Sequence, residues 1–186
     1  MIETERLVLR PPEHGDLAFR QNALNTPKVM RYLGGPASPE KAAERLAGDI
    51  AGFAEYGVGF WIATHKQTGE PVGRCGVGII RSGPAVLQGG WQIGWMLAEP
   101  FWGQGYAEEA ARGVIDYWFG ELGEKSIWSQ TSASNAASTR MMARLGFERR
   151  ADLDYVDPDY PAADNPTTVY SLGRGEWASR HGGVRD

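Results

Sequence analysis

The stretch LAEPFWGQGYA, residues 97–107, runs from a strand-like segment through a glycine-containing loop into the most regular helical pattern of the chain. Beyond Gly105, apolar residues recur at the spacing that places them on one face of a helix. These residues are Ala107, Ala110, Ala111, Val114, Ile115 and Trp118. Gly120 and Gly123 are suited to ending such a helix. The stretch therefore predicts a strand, a tight loop and an amphipathic helix in direct succession.

A loop of this kind can bind an anion. Gly103 and Gly105 let the backbone turn its N–H groups towards a ligand without interference from a Cβ atom. The helix N-terminus adds about half a positive charge, so a pyrophosphate is the ligand that such a junction favours. The same residues are equally compatible with a plain strand-to-helix turn. The loop alone leaves both interpretations open.

Two other phosphate-binding motifs fail on this chain. Gly103 and Gly105 begin like the dinucleotide fingerprint, but Glu108 occupies the position of its third glycine, where a carboxylate would repel a pyrophosphate. The sequence GEKS, residues 123–126, resembles a Walker loop only superficially, because its glycine and lysine are not adjacent and a strand follows. Kinase and nucleotide-hydrolysing functions are therefore disfavoured.

Working outward from this junction, the remaining sequence alternates between strand-like and helix-like patterns. Alternating or apolar runs bounded by turn residues predict strands at 6–10, 60–64, 71–80, 91–98, 126–131, 147–156 and 167–172. Helices are predicted from Asp16 to about Asn22, after the Ser38 cap, from Gly105 onward and from Asn135 to Leu145. This order predicts an α/β architecture in which helices pack on one mixed sheet.

Length and composition favour one globular domain. The chain has 186 residues, of which 42% are hydrophobic and 23% charged, values that are ordinary for a folded protein. At roughly 100–200 residues per domain, we expect a single domain over residues 1–178. Residues 179–186 are expected to form a frayed C-terminal tail.

Charge and residue usage exclude several classes of function. Nineteen Lys and Arg against 23 Asp and Glu give a net charge of −4 without a long basic run, so nucleic acid is disfavoured as a partner. Neither an apolar run of roughly 18 residues nor a signal-peptide pattern is present, so we expect a cytoplasmic protein with no membrane partner. One cysteine and three scattered histidines predict neither a disulfide framework nor a metal site.

A second motif lies in the predicted helix that starts at Asn135. Asn135 is followed at a fixed spacing by Ser138 and by the pair Gly146 and Phe147, which closes the helix. Together with the loop at 102–107, this pattern resembles the GNAT superfamily of acyl-CoA N-acyltransferases over nearly the whole chain. It is most similar to the ribosomal-protein N-terminal acetyltransferase-like branch. The resemblance implies a central mixed, mostly antiparallel sheet with splayed middle strands and helices packed on both faces.

The loop of this family follows the pattern Gln or Arg, two residues, Gly, one residue, then Gly or Ala. Here Trp102 stands at the first position, a departure that is typical of the branch and removes a side-chain donor. The resemblance implies acetyl-CoA as cofactor, with the amides of the loop on its pyrophosphate. The implied cofactor-binding residues are Met96, Leu97, Trp102, Gly103, Gln104, Gly105, Tyr106, Ala107, Asn135, Ser138 and Met142.

The resemblance also assigns catalytic roles. The amide of Leu97 would face the acetyl carbonyl, where one pre-placed N–H donor typically contributes about 3–4 kcal/mol in the transition state. Many relatives protonate the departing thiolate with a tyrosine, but Met142 stands at that position. Ser138 is the alternative donor. An equally good interpretation is that Ser138 is only a small residue that permits helix packing. Asn135 would bond the pantetheine, or cap its helix.

The general base is left open between two carboxylates. Glu99 follows the predicted splayed strand and Glu55 precedes the central hairpin, and either would reach the amine directly or through water. Each of them is also interpretable as a solvated surface carboxylate without a catalytic role. Glu99 is the favoured candidate for the base. Glu108 and Glu109 most simply complement the positive end of their helix. Cys75 is interpreted as a small buried residue and not as a nucleophile.

The acceptor is predicted only as a class. The resemblance implies direct attack of a primary amine, from a protein N-terminus or a small molecule, on the thioester in a ternary complex. A negatively charged segment at 152–164 would attract a cationic amine, or form a solvated acidic loop. The alternative function is a non-catalytic acyl-CoA-binding or regulatory module. A homodimer is compatible with the sequence.

Overall fold

The computed structural model describes residues 1–158 and 160–182. The chain forms two compact units, each built from two segments. The first unit comprises Met1–Val77 and Gly94–Val114, and the second comprises Gly78–Ile93 and Ile115–Asp186. The expectation of a single domain over residues 1–178 stays a prediction.

The first unit contains an antiparallel ladder of four strands, β1 (Ile2–Glu3), β2 (Leu7–Arg10), β3 (Phe60–His65) and β4 (Pro71–Ile79, of which the last two residues belong to the second unit). The alternation that predicted β2 is confirmed, because Leu7 and Leu9 are fully buried and the residues between and after them are half-buried. Strand β2 ends before Pro11, which has no N–H group for a further ladder bond.

The longest helix of the first unit begins where the sequence places a cap residue. A single 3-10 turn precedes α1 (Leu17–Phe19), and a π-type turn continues it. Helix α2 (Pro39–Tyr56) starts at Ser38, whose Oγ accepts a hydrogen bond from the Lys41 N–H at 3.2 Å, and it ends at Gly57 in the left-handed conformation. Helix α3 (Tyr106–Asp116, of which the last two residues belong to the second unit) is the amphipathic helix predicted after Gly105.

The second unit is organised around a long antiparallel pair. Strands β6 (Ser126–Ser132) and β8 (Thr167–Gly173) pair along their whole length, and β7 (Glu148–Arg149) pairs with the other edge of β8. The first residues of β5 (Trp91–Leu97) belong to this unit, where Gln92 pairs in parallel with Trp128. Helices α4 (Ala136–Leu145) and α5 (Arg174–His181) complete the unit.

Hydrogen bonding orders the strands β1-β2-β3-β4-β5-β6-β8-β7 in one eight-stranded sheet. All assigned pairs are antiparallel except that of β5 with β6, for which the described residues show the single register pair Gln92 and Trp128. If the middle strands of the sheet splay apart, they can pair over only a short length, and the single pair between β5 and β6 agrees with this expectation. The predicted fold class is confirmed.

The predicted strand over 147–156 is wrong for most of its length. Only Glu148–Arg149 form a strand, and a 3-10 turn occupies Ala151–Leu153. Within this turn the Arg150 guanidinium pairs with Asp152 at 2.8 Å, and the chain returns to β8 at an isolated bridge between Tyr155 and Thr167. Asp154 then accepts the Val169 N–H at 3.1 Å, so a carboxylate takes the place of a backbone carbonyl.

Helix α5 has no counterpart among the predicted elements. The Gly173 N–H donates to Glu176 Oε2 at 2.5 Å and starts the helix, and the buried Trp177 anchors it through a 2.8 Å bond from Nε1 to Asp116. Residues 179–181 of the predicted frayed tail therefore lie in the helix. Residues 183–186 of that tail lie outside the described residues.

Candidate active site

The loop between β5 and α3 is held by its own side chains. The Trp102 indole N–H donates to the Leu97 carbonyl at 2.8 Å, and the Gln104 amide donates to the Pro100 carbonyl at 2.7 Å. The first bond closes the loop back on the end of β5, and the second ties it to the 3-10 turn Glu99–Phe101. Trp102, which departs from the family pattern, therefore stabilises the loop through its indole hydrogen bond.

Two glycines give the loop its shape. Gly103 has a φ of 72° and Gly105 a φ of 82°, in the left-handed region that other residues avoid. A Cβ atom at Gly103 would meet nothing within 4 Å, so this side of the loop is open. The bond from the Glu109 N–H to the Gly105 carbonyl, 3.0 Å, starts the helical ladder. By helix geometry, the N–H groups before it have no acceptor within the helix and are suited to an anion.

Arg6 places a positive charge beside this loop. Its Nη1 donates to the Gln104 carbonyl at 3.0 Å, and its guanidinium lies 4.2 Å from the ring centroid of Tyr106. Its Nη2 is 3.4 Å from the Cβ position of Gly105. Sequence reasoning missed Arg6 as a site residue, because it precedes the loop by about a hundred positions and carries no motif of its own.

Glu109 fixes Arg6 in this position. Its Oε2 accepts from Arg6 Nε and its Oε1 accepts from the Arg6 N–H and from Thr4 Oγ1, each at 2.6 Å. Burial opposes ionisation, but these hydrogen bonds outweigh it and lower the pKa of Glu109. Glu109 therefore ties the N-terminal segment to the helix in addition to facing the helix dipole. Its neighbour Glu108 pairs with Arg112 one turn along at 3.0 Å.

The backbone at Leu97 is constrained by close contact with β4. A Cβ atom at Gly73 would lie 2.4 Å from the Met96 carbonyl oxygen and 2.9 Å from the Leu97 Cα. Only glycine permits this approach, and the Ala98 N–H donates to the Val72 carbonyl at 3.0 Å beside it. The predicted close backbone packing of the strand that contains Cys75 is present. Burial raises the pKa of the Cys75 thiol, which is consistent with an inert residue.

The two candidate bases differ in their surroundings. Glu99 accepts hydrogen bonds from Lys28 Nζ at 2.9 Å and from Thr26 Oγ1 at 3.1 Å. The ion pair with Lys28 lowers the pKa of Glu99, which makes its carboxylate a weaker base. Glu55 is exposed near the end of α2. Their catalytic roles stay predictions.

The second motif forms a well-capped helix in the second unit. Asn135 Oδ1 accepts the Ser138 N–H at 3.3 Å, and Asn135 Nδ2 donates to Thr131 Oγ1 at 3.0 Å. Asn135 therefore acts as a helix cap. Gly146 adopts a φ of 89° at the other end, as predicted. Ser138 is half-buried and Met142 fully buried, and their predicted contacts with the cofactor stay predictions.

A cavity of about 60 Å³ lies in the first unit beside Met96. Three arginines, Arg20, Arg45 and Arg74, belong to its lining. Asp49 Oδ2 accepts hydrogen bonds from Arg20 Nη2 at 2.5 Å and from Arg74 Nη1 at 3.0 Å. Burial raises the pKa of Asp49, and the charge of Arg20 opposes this rise. Sequence reasoning missed this cluster, because its members come from α2, β4 and the turn after α1 and form no local pattern.

Several further expectations concern other regions. Among the described residues, no group of His, Cys, Asp or Glu side chains is arranged to hold a metal ion, and no helix is long and apolar enough to cross a membrane. In the acidic segment, Asp157 and Asp164 are buried. Asp159 of the same segment lies outside the described residues.

Comparison with known proteins identifies the family. The family described as Acetyltransferase (GNAT) domain matches residues 6–148. A Bacillus subtilis protein designated YkkB is 35% identical over 147 residues, which cover 78% of this chain and 84% of that protein. An acetyltransferase structure from Agrobacterium tumefaciens superimposes with a TM-score of 0.74 at 28% identity and covers 92% of both chains. The chain belongs to the GNAT acetyltransferase family, and the predicted family, enzyme class and cofactor are confirmed.

A more specific relative comes from Aspergillus fumigatus. It is designated FsC-acetyl coenzyme A-N(2)-transacetylase and is 27% identical over 192 residues, which cover 95% of this chain and 77% of that protein. Its name assigns acetyl transfer from coenzyme A to a nitrogen of its own substrate. The resemblance to the ribosomal-protein branch stays a prediction.

Proposed function

We propose that this chain transfers the acetyl group of acetyl-CoA to a primary amine by direct attack, without a covalent enzyme intermediate. One observation carries the proposal: the glycine-shaped loop at residues 102–107 presents backbone N–H groups at the start of α3, in a chain that matches the acetyltransferase family. The name of the Aspergillus fumigatus relative supports nitrogen as the acceptor atom.

The residues of the loop fit the cofactor. The open face at Gly103 leaves room for a pyrophosphate, and the guanidinium of Arg6 is the nearest side-chain group to the Cβ position of Gly105. Backbone donors, a helix N-terminus and a fixed cation together favour a phosphate group over a neutral ligand. When bound, acetyl-CoA supplies an acetyl thioester that a neutral amine attacks directly.

Leu97 is proposed to stabilise the charge that develops in this attack. Its N–H would donate to the oxygen on which negative charge builds, and such a donor is most effective when it is already in place. Two contacts fix the backbone there: the approach of Gly73 from β4, and the bond from the Trp102 indole to the Leu97 carbonyl.

Proton transfer is proposed for two side chains. Ser138 Oγ would give a proton to the departing sulfur, since this hydroxyl has no hydrogen-bond partner among the residues that the structure describes. Glu99 would accept a proton from the amine through water. Its lowered pKa makes it a weak base, so the acceptor must supply a useful fraction of neutral amine itself.

The proposal also covers the acceptor class, the cellular location and the oligomeric state. A peptide N-terminus and a small-molecule amine are both retained as acceptors, and the chain is proposed to act in the cytoplasm. A homodimer is compatible with this function.

Release of free thiol from acetyl-CoA tests the proposal. The purified chain is incubated with acetyl-CoA and a panel of peptide N-termini, amino acids, polyamines and aminoglycosides, and coenzyme A binding is measured separately by calorimetry. We expect amine-dependent thiol release and a matching acetylated product by mass spectrometry. A chain that binds coenzyme A but releases no thiol with any amine would instead be an acyl-CoA-binding module.

A further inference from the structure

The cavity beside Met96 carries an excess of positive charge. Arg20 and Arg74 both contact one carboxylate, that of Asp49, so this cluster retains a net positive charge when all three are ionised. Arg45 adds another cation at the edge of the same cavity. Side-chain exposure is 8% for Arg20 and 17% for Arg74. Uncompensated charge is costly in such surroundings, and an anionic ligand would offset that cost.

Arg20 has unused hydrogen-bonding capacity at this cavity. It is 7% exposed, and its Nη1 atom is buried without a hydrogen-bond partner in the described residues. A buried guanidinium donor without an acceptor is expensive, and nearly all buried polar groups in proteins are paired. The Arg74 guanidinium is held 4.1 Å from the ring centroid of Phe60, which fixes its orientation. The cluster is therefore a rigid set of donors that lacks one acceptor.

The size and lining of the cavity suit a small organic anion. At about 15 Å³ for each water-sized site, the cavity volume of about 60 Å³ accommodates about four non-hydrogen atoms. Apolar side chains form much of the remaining lining, namely Leu24, Met30, Ala37, Ala42 and Met96. A carboxylate with a short apolar stem matches a wall of this kind, since a few charged groups in an apolar pocket orient a ligand.

The cavity also adjoins the proposed reaction centre along the chain. Met96 lines the cavity, and the next residue, Leu97, carries the N–H that is proposed to face the acetyl carbonyl. The cavity therefore lies next to the end of the strand that carries this proposed donor. No residue of the loop at 102–107 belongs to the lining, so the cavity is separate from the proposed pyrophosphate site.

We infer that this cavity binds the carboxylate of the acceptor, and that the acceptors are amino acids. Arg20 and Arg45 supply free donors to the carboxylate, and Asp49 holds Arg20 and Arg74 in place. This inference rests on the proposed function and specifies the substrate class of the same site.

Matched acceptors test the inference. Initial rates of thiol release are measured for alanine, valine, leucine and methionine, and for the amide of each, which lacks the carboxylate charge. That charge raises the pKa of the neighbouring amine, so at neutral pH the amide has the larger neutral fraction. A preference for the acid therefore cannot come from ionisation of the amine. We expect kcat/KM to be about ten- to a hundred-fold higher for the acids, the usual effect of hydrogen bonds to a charged group.

Variants assign this preference to the cavity. Arg45→Gln removes an exposed cation, and Arg20→Gln leaves Asp49 paired with Arg74, so neither isolates a buried charge. Each variant should raise KM for the acids about ten-fold or more and change KM for the amides far less, with kcat for the acids largely retained. Lys41→Gln is the matched control, because Lys41 lies one turn from Arg45 on α2 but outside the cavity lining, and it should behave as wild type.

Binding without the cofactor separates this inference from the proposed function. Leucine alone should raise the melting temperature of wild type, and leucinamide at the same concentration should not. If leucine stabilises wild type but not Arg20→Gln while no amine gives thiol release, the carboxylate site stands and the proposed function fails. If amines are acetylated but acids are used no better than amides, the inference is overturned and the proposed function stands. Equal stabilisation by leucinamide would also overturn it.

Discussion

At the scale of single residues, Gly105 offers the sharpest test of the cofactor site. Its Cβ position is 3.4 Å from Arg6 Nη2, so the carboxylate of a Gly105→Asp variant would pair with Arg6 at the start of α3. Negative charge is tolerated at a helix N-terminus, but it would compete with a pyrophosphate there. We predict that Gly105→Asp weakens coenzyme A binding at least about ten-fold in calorimetry.

Gly69 provides the matched control for this substitution. It has a φ of 70° and open space at its Cβ position, so Gly69→Asp adds the same charge with the same backbone strain in a turn outside the loop. This variant should bind coenzyme A as wild type does. If Gly105→Asp and wild type had equal affinities, the pyrophosphate site would have to lie elsewhere.

Ser138 is tested at the same scale. If its hydroxyl protonates the departing sulfur, Ser138→Ala should lower kcat about ten- to a hundred-fold and leave the affinity for acetyl-CoA nearly unchanged. The expected loss is moderate because a thiol with a pKa near 8.5 is already a fair leaving group. Thr139→Ala removes the neighbouring hydroxyl, which bonds the Ala136 carbonyl at 3.1 Å, and serves as control. Unchanged turnover in a folded Ser138→Ala protein would remove Ser138 from the mechanism.

At the scale of elements, the attachment of the N-terminal segment to α3 predicts a pH dependence. The pKa of Glu109 is lowered in the folded chain, so its carboxylate contributes stability above its ordinary value of about 4.3, and this stability is lost as the pH falls through the folded value. We predict that Glu109→Gln lowers the free energy of unfolding at pH 7 by about 2–3 kcal/mol, because it weakens charge-assisted bonds to Thr4 and Arg6.

Urea unfolding between pH 3 and pH 7 measures this dependence. The difference between wild type and Glu109→Gln should shrink towards the acid end, since both side chains are then neutral. Glu108→Gln is the control, because its i,i+4 pair with Arg112 is expected to contribute only about 0.5 kcal/mol. A constant difference across the whole pH range would contradict the assignment to the Glu109 charge.

At the scale of the whole molecule, local signals predicted the elements well. Cap residues located the start of α2 at Ser38 and the end of α4 at Gly146, since each depends on side-chain or backbone chemistry within one turn. The strand predicted over 147–156 failed because the chain leaves β8 after Arg149 for a 3-10 turn and returns to it only at the bridge of Tyr155 with Thr167. Helix α5 was missed because its one deep anchor, Trp177, bonds to Asp116 far away in the sequence.

The candidate site also has one part that the sequence predicted and one part that it did not. The loop at 102–107 was predicted because its glycines and the helix that follows are contiguous, and its shape needs no distant residue. Arg6, by contrast, reaches the loop only through the folded chain, and so do the arginines beside Met96. Charged residues scattered over several elements look like ordinary surface residues in a sequence. They can be recognised as candidate site residues only in the folded chain, where they are buried and share partners.

The choice of acceptor nitrogen follows from the chemistry of the whole enzyme, because only a neutral amine attacks. Glu99, paired with Lys28, is a weak base. At pH 7 about a tenth of a peptide α-amino group, with a pKa of about 7.7–8.0, is neutral, against roughly one part in 2,500 of a lysine side chain near 10.4. We predict faster acetylation of an α-amino group, in an amino acid or in a lysine-free peptide, than of the side chain in an N-terminally blocked lysine peptide. The rate should rise between about pH 6.5 and 8.5 as the amine loses its proton. Efficient acetylation of the blocked peptide, with none of the free α-amino peptide, would contradict this preference.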